Sequence, residues 1–228
     1  MNAVTRALLG LAAMAALALA AWYGYQAAAA WPIRAVHFTG DVSRIAADDL
    51  ERFAQSVRGM PSGAATLAAV REAARRIAWV REASVRRRFP DALEVHFESH
   101  APFARWNDHA LVSTAGEVFV APYGATLPRF SGPEGSAAEM TREYPRIVRA
   151  LAPAALTVAE VKLSPRGAWQ VVLDSGLTLE LGRTELVERL GRFAAAWPRI
   201  APEAPVSADL RYPNGFALRL AAARATKS

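Results

Sequence analysis

His96, Glu98 and His100 stand at every second position of one short run. On an extended strand that spacing puts all three side chains on one face, where such a trio could hold a divalent metal. The same three residues also fit a solvated strand face opposite the apolar Leu93, Val95 and Phe97. The second reading is favoured, because neither a fourth ligand nor a set of groups to orient the imidazoles is evident. Gly-x-Ser-x-Gly, His-Glu-x-x-His and a phosphate-cradling glycine loop are all missing from the chain. Gly132-Pro133-Glu134-Gly135-Ser136 has the look of a ligand loop but is read as a lead-in to a helix. Arg86, Arg87 and Arg88 are read as exposed strand positions, at most a patch for an acidic partner. These residues assemble no catalytic set, so the expectation is a protein without turnover, cofactor or metal.

The elements that position these residues begin with a long uncharged stretch. From Ala7 to Ile33 the only ionisable side chains are Tyr23 and Tyr25, and the run lies between Arg6 and Arg34. A bilayer core about 30 Å thick needs roughly 20 apolar residues of helix to cross it. The expectation is a span over residues 7–31, with Leu8, Leu9, Leu11, Leu17 and Leu19 carrying most of the apolar transfer. Trp22, Tyr23 and Tyr25 cluster at the far end, where amphipathic rings sit among headgroups. Gly10 and the many alanines would admit a close helical neighbour. The basic flank 1–6 then stays in the cytoplasm and the body lies across the membrane. A rival reading is a signal peptide cut after Ala18-Leu19-Ala20. Both readings export the same body.

The exported body must hold together by packing alone, because the chain has no cysteine. Its net charge is +6, and the basic character is nearly all arginine, with Lys162 and Lys227 the only lysines. Nucleic acid is the usual partner for such a charge, but an exported domain rarely meets it. Val36 and Phe38 alternate in a first strand, and Leu50, Phe53 and Val57 recur at helical spacing behind an Asp48–Glu51 capping box. Leu67, Val70, Ala74 and Ile77 mark a second helix, and strands follow at 84–89 and 93–98. The order β-α-α-β-β places two helices on one face of a three-stranded sheet.

Beyond Ala101 strand-like runs predominate: 110–113, 117–121, 158–163, 169–173, 177–181 and 216–220. Helices are expected over 137–152 and 184–197, the second with Thr184 as N-cap and Pro198 as its stop. The fold class is therefore α+β. A cytoplasmic tail (1–6) and the span (7–31) precede a first domain (32–100) and a sheet-rich domain (101–221) with flanking helices. A short tail (222–228) follows. The last strand opens after Pro213, which cannot donate to a ladder and so suits an edge. A turn followed by a core strand is the other reading of these residues.

Several segments in order carry a resemblance. Val36-His37-Phe38-Thr39-Gly40, Trp79-Val80 and Val85 to Leu93 are similar to a POTRA domain. Pro102 to Asp108, Gly132 to Ser136, Leu181-Gly182-Arg183 and Asp209 to Gly215 then resemble the FtsQ/DivIB family of bacterial cell-division proteins. The resemblance covers nearly the whole chain. It implies a retained single span of type II topology in the inner membrane, with the domains in the periplasm at the division septum. It implies a non-enzymatic scaffold whose partners are the coiled-coil proteins FtsB and FtsL and other divisome membrane proteins. By position it transfers partner binding to Arg211, Tyr212, Asn214, Gly215, Phe216 and Leu218, and more loosely to Arg166. The short tail Met1 to Arg6 departs from the family's longer ones. A POTRA-type chaperone for envelope assembly or secretion, and an anchored cell-wall hydrolase, are the other classes the sequence admits. The former would bring repeated POTRA units or a large barrel, and the latter a nucleophile or metal site.

A retained span predicts that a reporter fused after Ser228 is active only outside the cytoplasm and that the protein resists carbonate extraction. A mature N-terminus at Ala21 would establish cleavage instead.

Overall fold

The computed structural model describes residues 3–29, 32–61 and 63–220, without the side chains of 3–9, 25–29, 64 and 65. The expected C-terminal tail 222–228, Trp31, and the side chains of Leu8, Leu9 and Tyr25 lie outside that set. The chain divides into two compact units, Met1–His100 and Ala101–Ser228.

The first unit opens with helix α1, Ala3–Ala29. Side chains are described from Gly10 to Gly24, fewer than the roughly 20 residues a span needs. Among the described residues no helix is long and apolar enough to cross a membrane. Strand β1 (Ala35–Gly40), helices α2 (Ala47–Val57) and α3 (Ala64–Ala74), and strands β2 (Val80–Arg88) and β3 (Ala92–Ser99) follow. The sheet order is β1-β3-β2, with β1 parallel and β2 antiparallel to the central strand. Period-two alternation sends Leu93, Val95 and Phe97 inward, where Phe53, Val57, Val70 and Ala74 from the helices are also buried. Three rings close the core, Phe38 and Phe97 at 5.8 Å, Phe38 and Phe53 at 6.1 Å, and Phe53 and Phe97 at 6.3 Å.

The expected capping box is not made. Helix α2 is capped at Ala46 with no side-chain bond, which puts Asp48 and Asp49 inside the first turn. There they act through the helix dipole, which favours negative charge at this end.

The second unit is one nine-stranded sheet. Its strands are β4 (Pro102–Trp106), β5 (Ala110–Ser113), β6 (Val118–Phe119), β7 (Arg129–Ser131), β8 (Val158–Leu163), β9 (Trp169–Leu173), β10 (Thr178–Gly182), β11 (Pro205–Asp209) and β12 (Ala217–Leu220). The spatial order is β12-β11-β10-β9-β8-β7-β4-β5-β6. Helices α4 (Ala137–Leu151) and α5 (Leu186–Ile200) supply Met140, Ile147, Leu151, Leu190 and Phe193 to a core shared with Phe130, Val161, Val171, Leu179, Leu181 and Ala208. The intervening strand residues are polar and partly exposed, as Gln170, Thr178, Glu180, Ser207 and Asp209 are. From β9 to β11 the sheet is thus buried on one face, whereas in β5 Leu111, Val112 and Ser113 are buried in succession.

Two details of α5 differ from the sequence expectation. Its N-cap is Glu185, in a left-handed conformation, so Thr184 lies outside. Pro198 does not stop the helix, which runs on to Ile200. Pro198 and Pro145 in α4 are both exposed, on the solvent side where a carbonyl freed by a missing N–H can bond water.

Phe193 has no solvent exposure and packs on Trp197 at 5.5 Å and Phe216 at 5.6 Å. Phe193→Ala should lower the unfolding free energy by about 3–5 kcal/mol, read from urea titration.

A candidate partner-binding edge

Strand β12 forms one edge of the large sheet, so one side of its backbone has no strand opposite it among the described residues. It pairs antiparallel with β11, Ala217 opposite Asp209, Leu218 opposite Ala208 and Arg219 opposite Ser207. That register turns Leu218 to the core face beside Ala208, while Ala217 and Arg219 are exposed. Phe216, just before the strand, sets its ring edge-on against Phe193 of α5. Phe216 and Leu218 therefore anchor the strand.

The loop before β12 is held by charge. Arg211 grips Asp209 with two donors, Nη2 to Oδ2 at 2.6 Å and Nε to Oδ1 at 2.8 Å, and its backbone N–H reaches the same Oδ1 at 3.1 Å. The donated guanidinium bonds hold the Asp209 carboxyl below its ordinary 3.8, against a smaller opposing effect of burial. The same pairing raises Arg211. From α5, Arg192 donates to the carbonyl of Tyr212 at 3.4 Å. Arg189, largely buried, donates to the carbonyl of Leu181 and pairs with Glu185 at 3.3 Å. Gly182 leaves room for this arrangement. A Cβ there would meet Arg189 Nη1 at 2.8 Å and Arg211 Cγ at 3.3 Å, and its φ of +78° already favours glycine. Tyr212 stands outside the clamp, 55% exposed. Asn214 is exposed, and Gly215 half-buried, in the turn that leads to β12.

Arg166 sits at the tip of the β8–β9 hairpin, exposed. Strands β8, β10 and β11 all run toward the end at which β9 and β12 begin. The hairpin tip, the Gly182–Arg183 exit and the 210–216 loop therefore share one end of the sheet. Arg166 lies a few strands from Tyr212, at about 4.8 Å per strand. The sequence brings these positions to one end through topology alone. It did not single out Arg192 or the Asp209 carboxylate as the groups that fix the loop, although Leu181-Gly182-Arg183 marks the place where Arg189 and Arg211 come close.

The histidine run is arranged differently. His96 Nδ1 lies 3.2 Å from Thr39 Oγ1, Glu98 pairs with Arg81 at 3.8 Å, and His100 follows the end of β3. Among the described residues no three His, Cys, Asp or Glu side chains are grouped to hold a metal ion.

A three-stranded sheet with two helices between its first and second strands, followed by a sheet-rich unit, is the architecture of a POTRA-containing protein. The family model described as POTRA domain, FtsQ-type, matches residues 31–98, and the one described as cell division protein FtsQ/DivIB, C-terminal, matches 104–211. The chain is 40% identical to the cell division protein FtsQ of Burkholderia pseudomallei over 91% of its length and 87% of that protein's. It is 35% identical to FtsQ of Xanthomonas campestris over 95% of its length and 81% of that one's. FtsQ of Escherichia coli is 35% identical over 63% of this chain and 55% of its own. The chain belongs to the FtsQ/DivIB family of cell division proteins.

The Asp209 pairing has a pH signature. A depressed carboxyl contributes stability that is full above the unfolded pKa and is lost as pH falls through the folded one. Asp209→Asn should therefore melt below the unaltered protein at neutral pH, and the difference should shrink as pH falls through and below the ordinary carboxylate range.

Proposed function

We propose that this protein is a membrane-anchored, non-enzymatic scaffold of the divisome, with α1 as a retained span and both units in the periplasm at the septum. FtsB and FtsL are its partners in this reading, with other divisome membrane proteins recruited through the same assembly. The observation that carries it is the edge of β12, a strand margin unpaired among the described residues and next to an exposed Tyr212. An open edge takes a partner strand by backbone hydrogen bonding, and the side chains beside it choose the partner. Tyr212 is the anchor: an aromatic with a polar tip, held by its backbone while its ring remains available. Gly215 and Asn214 let the chain turn into the strand, and Phe216 and Leu218 keep the edge seated on the core. Arg166 adds charge at the same end of the sheet. Arg211 contributes by holding the loop, because Asp209 already occupies its fork.

Tyr212→Ala should weaken capture of FtsB and FtsL by about 2 kcal/mol or more, some thirtyfold, in a pull-down with the full chain. Its melting temperature should stay at that of the unaltered protein. Normal binding by Tyr212→Ala, or failure through unfolding, places the interface elsewhere.

A further inference from the structure

The chain between α1 and β1 is stitched to two loops at one pole of the first unit. Pro32 pairs with Pro61 in a β-bridge, Ile33 N–H donates to the Met60 carbonyl at 2.9 Å, and Gly59 N–H donates to the Ile33 carbonyl at 2.9 Å. Arg34 N–H donates to the Asp91 carbonyl at 2.7 Å, and its guanidinium lies 3.8 Å from the Asp91 carboxylate. The 59–61 loop and the β2–β3 hairpin tip are thereby fixed beside the first residues after α1. From the end of α1 at Ala29 to Pro32 is three residues, at most about 11 Å of chain.

Each of the two loops carries an exposed apolar side chain, Met60 at 40% and Phe89 at 72% exposure. Around them stand Arg34, Arg58, Arg86 and Arg88, all exposed, with Arg87 against the Phe89 ring at 5.9 Å. The acids at this pole are Asp91, paired with Arg34, and Glu94, 3.9 Å from Arg86. Five arginines thus face two carboxylates. Between the linker and the hairpin tip lies a recess of about 400 Å³ lined by Pro32, Arg34, Pro90 and Asp91. An apolar side chain flanked by cations is the chemistry that enters a headgroup layer carrying phosphate charge. The apolar helix a few residues away tethers the pole to the surface it would meet, so the local concentration of lipid is high.

We propose that this pole of the POTRA unit seats on the membrane surface, with Phe89 and Met60 entering the interface and Arg34, Arg58, Arg86 and Arg88 meeting anionic phospholipid headgroups. The proposal rests on the reading of α1 as a retained span. Seating fixes the orientation of the first unit relative to the bilayer plane, rather than leaving it free on the linker.

The chain has no cysteine, so single reporters can be placed without background. The full chain is reconstituted in lipid nanodiscs of phosphatidylcholine, with or without phosphatidylglycerol, carrying a nitroxide quencher at headgroup depth. A fluorophore is attached in turn to Met60→Cys, to Ser43→Cys and to Ala15→Cys. Ser43 lies beyond the opposite end of β1, about 20 Å of strand from Arg34. Quenching at Met60→Cys should exceed that at Ser43→Cys severalfold in discs with phosphatidylglycerol. It should fall by at least half on adding Phe89→Ser, Arg86→Glu and Arg88→Glu, and also at high salt. These exposed changes should leave the far-ultraviolet circular dichroism unaltered. Equal quenching at Met60→Cys and Ser43→Cys, with Ala15→Cys strongly quenched by nitroxides placed in the acyl chains, overturns the seating and leaves the span. Loss of quenching at Ala15→Cys as well overturns both.

Discussion

A sheet covered by helices on one side must send every second residue to that side, and the second unit obeys this constraint from β9 to β12. Leu179 and Leu181 in β10, Ala208 in β11 and Leu218 in β12 all turn toward α5, and the residues between them turn to solvent. A slip of one residue in any pairing would bury Glu180 or Asp209 and expose a leucine. The position of β12 therefore follows from the core, and its outer edge is placed by packing that lies well inside the molecule. Phe193 is the point where this becomes specific, since it meets both the helix interior and Phe216 at the start of the edge strand.

Charge completes what packing begins. Between Leu210 and Phe216, whose side chains pack into the core, the loop is held by the guanidinium groups of Arg192 and Arg211 through bonds to the Tyr212 carbonyl and to Asp209. An arginine used in this way acts as a brace, because its planar fork engages two acceptors at once. The high arginine content of the chain thus has a structural use at this end of the sheet. In the first unit, His96 lies beside Thr39 and Glu98 beside Arg81, and His100 follows the end of β3.

Periodicity made the strands β8 and β9 legible to the residue, because Trp169 to Leu173 alternate cleanly and Val158 to Leu163 alternate from Val161 onward, past the irregularity between Val158 and Glu160. Strands β4 and β11 were not legible as strands. Each begins with a proline, Pro102 and Pro205, which reads as a break, and each pairs on one side with a parallel strand further off in sequence, β7 and β10. Strand β7 is three residues long and lies parallel between β4 and β8, so nothing local announces it. Helix ends were misplaced for a similar reason. Thr184 and Pro198 are strong local signals, yet the packing of Leu190 and Phe193 sets where α5 begins and ends. At the candidate edge, the family resemblance transferred partner binding to Tyr212 and Phe216 by position, but the carboxylate that occupies Arg211 became visible only in three dimensions.

Among the described residues β12 is also the last strand in chain order. A polypeptide made from its amino terminus delivers every other described strand of the sheet before this one. A molecule trimmed before Ala217 would leave β11 at the margin of the sheet and would lack Leu218, and Phe216 would have no strand to lead into. The outermost margin of the sheet is thereby a late product of synthesis, added after the strands on which it packs have been made.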